Sequence, residues 1–233
     1  PGSLTNCAKM TARAAANGRR AHQRCSVLGC PCRMDFSRAH ATLIASNGSA
    51  TIVISKAVLT VSATGVNKTY DGNPNATVTL SDNRVSGDSV TDNYTSATFS
   101  DQNTGNGKTV SVSNISISGT DAANYSLANT TASTTANITA AGLSITANND
   151  SKLYGQTRSY GAGSTAFISS DLQNGETIGS VTITATGGTA PNAAVGSYTL
   201  TPSAATGGTF TPSNYTITYS NAALTVNATA LTI

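Results

Sequence analysis

Two stretches of this chain repeat each other at a nearly fixed spacing, and that repeat limits the possible folds more than any other feature. Lys68-Thr69-Tyr70-Asp71-Gly72 returns as Lys152-Leu153-Tyr154-Gly155-Gln156, so Tyr154 follows Tyr70 by 84 residues. Leu59-Thr60-Val61 returns as Leu143-Ser144-Ile145 at the same offset of 84, and Leu231-Thr232-Ile233 begins 88 residues after Leu143. Asn124-Tyr125-Ser126 matches Asn214-Tyr215-Thr216, 90 residues apart. Self-similarity of this length marks modules in series, each too small to be a large enzyme domain. A module of about 85 residues buries only about 60% of its unfolded surface, so docking against neighbours is the expected supplement.

Between the repeated motifs the pattern is that of strands. Val110-Ser111-Val112-Ser113, Ile115-Ser116-Ile117-Ser118, Val181-Thr182-Ile183-Thr184, Tyr198-Thr199-Leu200-Thr201 and Tyr215-Thr216-Ile217-Thr218-Tyr219 alternate apolar and hydroxyl residues. A period of two places the apolar set on one face of a half-buried strand. Gly/Asn/Asp clusters such as Asp71-Gly72-Asn73-Pro74, Ser86-Gly87-Asp88 and Asn174-Gly175-Glu176 separate the runs as turns. The best helix candidate, Thr165 to Leu172, is one or two turns long. The expected class is all-β: tandem small β-sandwich or β-grasp-like modules in an elongated array. A crossover between parallel strands would distinguish the β-grasp-like sheet from the sandwich.

Charge separates the first forty residues from the rest. They hold seven basic residues and one acid, a net +6, whereas residues 41–233 hold six basic residues and nine acids, a net −3. All four Cys and both His also lie before residue 41. We read 1–40 as a disordered or non-native segment. The alternative there is zinc on Cys25, Cys30, Cys32 and His22, since zinc takes four such ligands, but C-x4-C-x-C is not a standard zinc spacing. No run of about 20 apolar residues is present to span a membrane as a helix. Gly48 to Ala57 parallels Thr135 to Ala141, and residues 41–56 are read as the tail strand of a preceding module. Modules at 57–142 and 143–229 follow, and 230–233 begins another.

The first module resembles the YDG domain of bacterial surface proteins through Lys68-Thr69-Tyr70-Asp71-Gly72, Gly87-Asp88-Ser89-Val90, Phe99-Ser100-Asp101, Gly107-Lys108-Thr109-Val110 and Asn124-Tyr125-Ser126. The second is similar to an MBG domain of the YGX type through Lys152-Leu153-Tyr154-Gly155-Gln156, Asn174-Gly175-Glu176-Thr177-Ile178, Gly196-Ser197-Tyr198 and Asn214-Tyr215-Thr216. The resemblance implies tandem repeats of very large secreted proteins, including filamentous-haemagglutinin-like adhesins. It implies an extracellular or cell-surface location, a role in adhesion or stalk formation, and no catalytic residues.

The motif residues Lys68, Tyr70, Asp71, Gly72, Asn124, Tyr125, Lys152, Tyr154, Gly155, Asn214 and Tyr215 are read as framework: Asp-Gly supplies a turn, and Tyr packs its ring while bonding through its hydroxyl. The two lysines are read as snorkelling. Asp82, Asp88, Asp92 and Asp101 are expected to be solvated turn acids, because none forms the spaced loop of a calcium site. Interdomain calcium at Asn148, Asn149 and Asp150 is the sharper alternative. The repeats contain no His or Cys, which removes the commonest general base and the thiol nucleophile. The expectation is therefore no enzyme and no cofactor. Partners are neighbouring modules of the same chain, or a host or surface glycan or protein, and not nucleic acid. The favoured role is a stalk or spacer in a secreted adhesin. The alternative is direct binding of glycan or matrix through Ser/Thr/Asn/Tyr faces.

Overall fold

The computed structural model describes residues 40–46 and 49–231, with side chains from Ser55 onward. The candidate zinc residues and the segment before residue 40 lie outside the described residues. Every described regular element is a β-strand except two single-turn 3-10 helices, Ala122–Asn124 and Pro212–Asn214. The fold class is all-β. No described helix is long and apolar enough to cross a membrane.

Contacts divide the chain into two compact units. The first comprises the described part up to Gly65, then Thr77–Ala97 and Ser111–Thr134. The second comprises Val66–Ala76, Thr98–Val110 and everything from Thr135 onward. The residues around Tyr70 therefore belong to the same unit as the whole second repeat.

In the first unit, His40–Ser46 and Ser49–Ser55 form an antiparallel hairpin with Ser46 opposite Ser49. The stretch 41–56, read as one tail strand, is instead two strands paired as a hairpin, because the chain turns back between Ser46 and Ser49. Val61–Gly65 pairs antiparallel with Val78–Asp82, and Thr91–Asn93 with Ser116–Ser118. Ala57–Leu59 runs parallel to Tyr125–Leu127. Leu59, Val61, Val78, Val90, Val112, Ile115 and Tyr125 are buried in this unit. The strand Val61–Gly65 alternates between covered and exposed positions, the signature of one wet face.

In the second unit, Ala141–Ala147 is the central strand of a three-stranded sheet. It runs parallel to Tyr215–Ser220 and antiparallel to Phe167–Ser170. A four-stranded sheet takes the order Asp150–Leu153, Ala222–Asn227, Gly196–Gly208, Ile178–Ala185. Its first pair is parallel and the other two antiparallel. The register slips by one residue between the pairs Ser180–Thr206 and Thr182–Ser203, and Ala204 takes a φ of 47° there. This is a β-bulge, with the extra residue in a left-handed conformation. Leu143, Ile145, Val181, Ile183, Leu200, Leu224 and Val226 form the core. Within the same unit Lys68–Thr69 runs parallel to the end of Thr131–Thr139, with Lys68 opposite Ile138 and Thr69 opposite Thr139.

Each repeat thus pairs its opening strand in parallel with a late one, so neither is a purely antiparallel sandwich. The crossover into Tyr125–Leu127 and into Tyr215–Ser220 is made in both cases by a 3-10 turn ending in Asn. The segment singled out as a helix candidate, Thr165 to Leu172, contains the strand Phe167–Ser170 instead. Pairing with Ala141–Ala147 supplies its main-chain partners, and Phe and Ile favour a pleated surface over a short isolated helix.

Candidate functional site: a tyrosine–glutamate joint

The two Asn-Tyr motifs build the same local lock. In the first repeat Tyr125 begins a strand after its 3-10 turn; its hydroxyl donates to Asp88 Oδ2 at 2.7 Å and accepts the Val85 N–H at 2.9 Å. In the second repeat Tyr215 donates to Glu176 Oε2 and accepts the Gln173 N–H at 2.9 Å. Both acids follow a glycine with positive φ, Gly87 at 95° and Gly175 at 71°, and each closes a turn by its own N–H. The phenol thereby ties the start of the strand to the turn.

Glu176 does more than Asp88, because its other oxygen, Oε1, accepts the Tyr70 hydroxyl at 2.5 Å. One carboxylate holds two phenols. The Tyr70 and Tyr215 rings meet edge to face, 5.4 Å between centroids at 78°, and Phe210 lies 6.2 Å from Tyr215. Such aromatic contacts add to area burial. All three rings are buried. Burial first, and then the hydrogen bond and charge of the Glu176 carboxylate, push the Tyr215 phenol up to about 12. Burial, then Glu176, likewise raises Tyr70.

The neighbouring contacts seal the joint. Gly72 has a φ of 74°, and a Cβ there would lie 2.5 Å from the Asn174 Cβ. Asn174 Nδ2 instead donates to Gly72 O at 3.1 Å. Asn214 is fully buried: its Oδ1 accepts the Thr104 N–H at 3.0 Å, and its Nδ2 donates to Asn103 Oδ1 at 3.0 Å. Thr104 Oγ1 donates to Ser213 O at 3.1 Å. A buried amide with its hydrogen bonds made specifies one arrangement, since an orphaned group would be costly. Asn124, the counterpart of Asn214, is only partly covered.

The two motif lysines staple their own turns. Lys68 Nζ donates to Asp71 Oδ1 at 2.7 Å and to Asn73 O at 2.6 Å, and lies 5.6 Å from the Phe99 ring centroid. Asp71 also accepts the Asn73 N–H at 3.1 Å. Burial alone would raise the Asp71 carboxyl, but the Lys68 and Asn73 hydrogen bonds hold it below its usual range. Lys152 has Gly155 where Lys68 has Asp71, and takes two carbonyls instead: Gln156 O at 2.7 Å and Ala190 O at 2.5 Å. It is 3% exposed, so it is a buried cation and not a snorkelling one. Tyr154 differs most from its counterpart, at 50% exposed against 2% for Tyr70.

Two of the turn acids read as solvated are not. The Asp82 and Asp92 side chains are 1% and 5% exposed and share the Arg84 guanidinium at 2.6 and 3.1 Å. Arg84 also donates to Val90 O. Burial would raise both carboxyls; hydrogen bonds from the Arg84 side chain and N–H bring Asp82 down, whereas burial and the Asp82 carboxylate leave Asp92 raised. Asp101 remains exposed and pairs with Lys108 at 2.6 Å. Asp150 accepts from Arg158 at 3.1 Å and Tyr160 at 2.8 Å, and Asn149 accepts the Ala223 N–H at 2.8 Å. These groups are thus engaged in local bonds, and no cluster of three metal-ligating side chains occurs among the described residues.

An open cleft of about 670 Å³ adjoins the joint, lined by Thr69, Tyr70, Asp71, Ser144, Asp171, Gln173, Thr216 and Thr218 among others. Sequence reasoning named Tyr70, Gly72, Asn214 and Tyr215 but missed Glu176, Asn174, Asn103 and Thr104 as their partners. The available signal for Glu176 was its place 88 residues after Asp88, each following Gly and each about 40 residues before an Asn-Tyr.

Comparison with protein families matches residues 55–136 to the YDG domain and residues 143–225 to the MBG domain (YGX type). No curated protein matches the chain. The joint therefore brings turns from the YDG stretch (Tyr70, Gly72, Asn103 and Thr104) against turns from the MBG stretch (Asn174, Glu176 and Asn214) inside a single compact unit.

Proposed function

We propose that this chain, a YDG domain followed by an MBG domain, serves as stalk or spacer repeats of a secreted bacterial surface adhesin, and not as a catalyst. The observation that carries the reading is the joint itself. Tyr70 and Asn214 of the repeat motif make buried bonds between the YDG and MBG stretches, and Tyr125 and Tyr215 are held by turns of their own repeats, so these side chains are not free to meet a ligand. A spacer needs stable, specific packing of successive modules more than it needs a pocket. The nearly uncharged Ser/Thr/Asn-rich surface, with 10% charged residues against about 25% in average domains, suits the same role outside the cell.

The experiment is a binding screen of the purified chain against glycan arrays and immobilised matrix proteins, together with labelling of intact producing cells by an antibody to residues 55–230. Surface labelling without binding at micromolar concentration supports the spacer. Absence of surface labelling overturns the location.

The open cleft favours a second reading, direct glycan binding, because it presents hydroxyls, a carboxamide and two carboxylates on a concave surface. Binding in the screen that Asp171→Ala or Thr216→Ala removes would replace the spacer reading with this one.

A further inference from the structure

We propose that Tyr154 is the seat for a further MBG-type module, whose Gly-acid turn accepts the Tyr154 hydroxyl as Glu176 accepts that of Tyr70. The Tyr70 N–H donates to Thr139 O at 2.8 Å, and the Tyr154 N–H donates to Asn227 O at 2.8 Å, so the two tyrosines occupy the same place on their repeats. Both follow a strand that runs parallel to a late strand of the repeat, Lys68–Thr69 in one case and Asp150–Leu153 in the other. Two residues before each tyrosine stands a lysine that fastens the turn.

The difference lies in what covers them. Tyr70 is 2% exposed because the Glu176 turn sits on it, whereas Tyr154 is 50% exposed with Leu153 at 44%. The chain leaving the repeat matches as well. Leu231 follows Asn227 by four residues, as Leu143 follows Thr139. An exposed Tyr154 beside an exposed Leu153, at a place that forms the joint one repeat earlier, indicates a surface whose natural cover is another copy of the same module. Gln156 stands where Gly72 does, so the Asn174 contact is not reproduced and the seat rests on the tyrosine. The inference depends on the serial packing in the proposed function and is independent of the cell-surface location.

The test extends the full chain after Ala228 with a second copy of residues 141–231, so that the copy's Ala141 replaces Thr229. Amide exchange over Leu153–Gln156 should slow on the order of tenfold or more relative to the original chain. Tyr154→Phe should lower the thermal midpoint of the extended chain by about 2–4 °C and leave the original chain unchanged. It should also couple, in a double-mutant cycle, to Glu→Gln at the copied Glu176 position. Unchanged exchange, or an equal effect of Tyr154→Phe on both chains, overturns the seat. Tyr70→Phe in both chains separates the two claims. If it destabilises while Tyr154→Phe does not, only the seat fails, and if neither does, serial packing through this tyrosine fails with it.

Discussion

The Tyr70 hydroxyl meets Glu176 at 2.5 Å across 106 residues of sequence. Glu176 is the only glutamate in the chain, and it serves Tyr215 at the same time. Replacing it with glutamine keeps the shape and removes the charge that makes both acceptances strong. Glu176→Gln should cost roughly 1–3 kcal/mol in urea unfolding, and Tyr70→Phe about 1 kcal/mol. The double variant should fall short of the sum, because the two changes remove one shared bond. Strict additivity would show that the contact contributes nothing of its own.

Gly72 tests the same joint through the backbone. Its φ of 74° disfavours any side chain, and a methyl there would collide with Asn174 Cβ at 2.5 Å. Gly72→Ala should destabilise by about 2 kcal/mol or more. Gly87 also has a positive φ, of 95°, but nothing lies within 4 Å of its Cβ position, so Gly87→Ala should cost only the conformational share, about 1 kcal/mol. Equal losses measured by denaturant titration would remove the steric account.

Alkaline pH should loosen the structure in a defined window. Tyr215 and Tyr160 are both pushed up to about 12 from an ordinary 10.0, by burial first and then by Glu176 and Asp150 respectively. The folded chain therefore keeps protons that the unfolded chain loses, and stability falls as pH rises from about 10 through about 12. Ultraviolet titration should show a late-ionising group of tyrosines, and Tyr215→Phe should reduce the pH slope of stability in that interval. A slope unaffected by both Tyr215→Phe and Tyr160→Phe would refute the assignment.

Asp92 should be a liability at neutral pH. Its folded-state carboxyl is raised by burial and by Asp82, so its favourable share is present below the ordinary 3.8 and is lost as pH rises through the raised value. Asp92→Asn should therefore stabilise the chain at about pH 7, by roughly 1 kcal/mol, with the gain disappearing in acid. Asp82 has the opposite sign: its lowered carboxyl stabilises above 3.8 and stops doing so as pH falls through the folded value. Asp82→Asn should destabilise at neutral pH by leaving Arg84 with a weaker partner. Thermal unfolding of the two variants across pH decides between them.

Which residues face a core was legible from period two alone, since Val110, Val112, Val181, Ile183 and Leu200 are all buried where alternation puts them. Strand direction was not, because alternation assigns a face and carries no information about which strand lies alongside. The parallel pairing of Ala141–Ala147 with Tyr215–Ser220 joins segments about 70 residues apart, which no local pattern encodes. Tyr70, Asn214 and Tyr215 stood out because they recur, but Glu176, Asn103 and Thr104 are ordinary turn residues until the fold brings them to a tyrosine or an amide. Asp82 and Asp92 were misread for a related reason. A carboxylate in a polar stretch reads as solvated, and only the approach of Arg84 makes its burial tolerable.

The parallel pair also determines how the second repeat would bear load. Ala141–Ala147 enters the repeat beside Tyr215–Ser220, in register over six residue pairs, and the chain leaves through Ala222–Asn227, which runs parallel to Asp150–Leu153. Tension applied to the chain on either side of this repeat would pull the entering and leaving strands along the axes of their parallel partners. Their cross-strand hydrogen bonds would then be strained together and not opened one after another from an end. A sheet arranged in this way resists stretching by shear, so its strength under force can exceed what its modest size and thin core would give it against heat or denaturant.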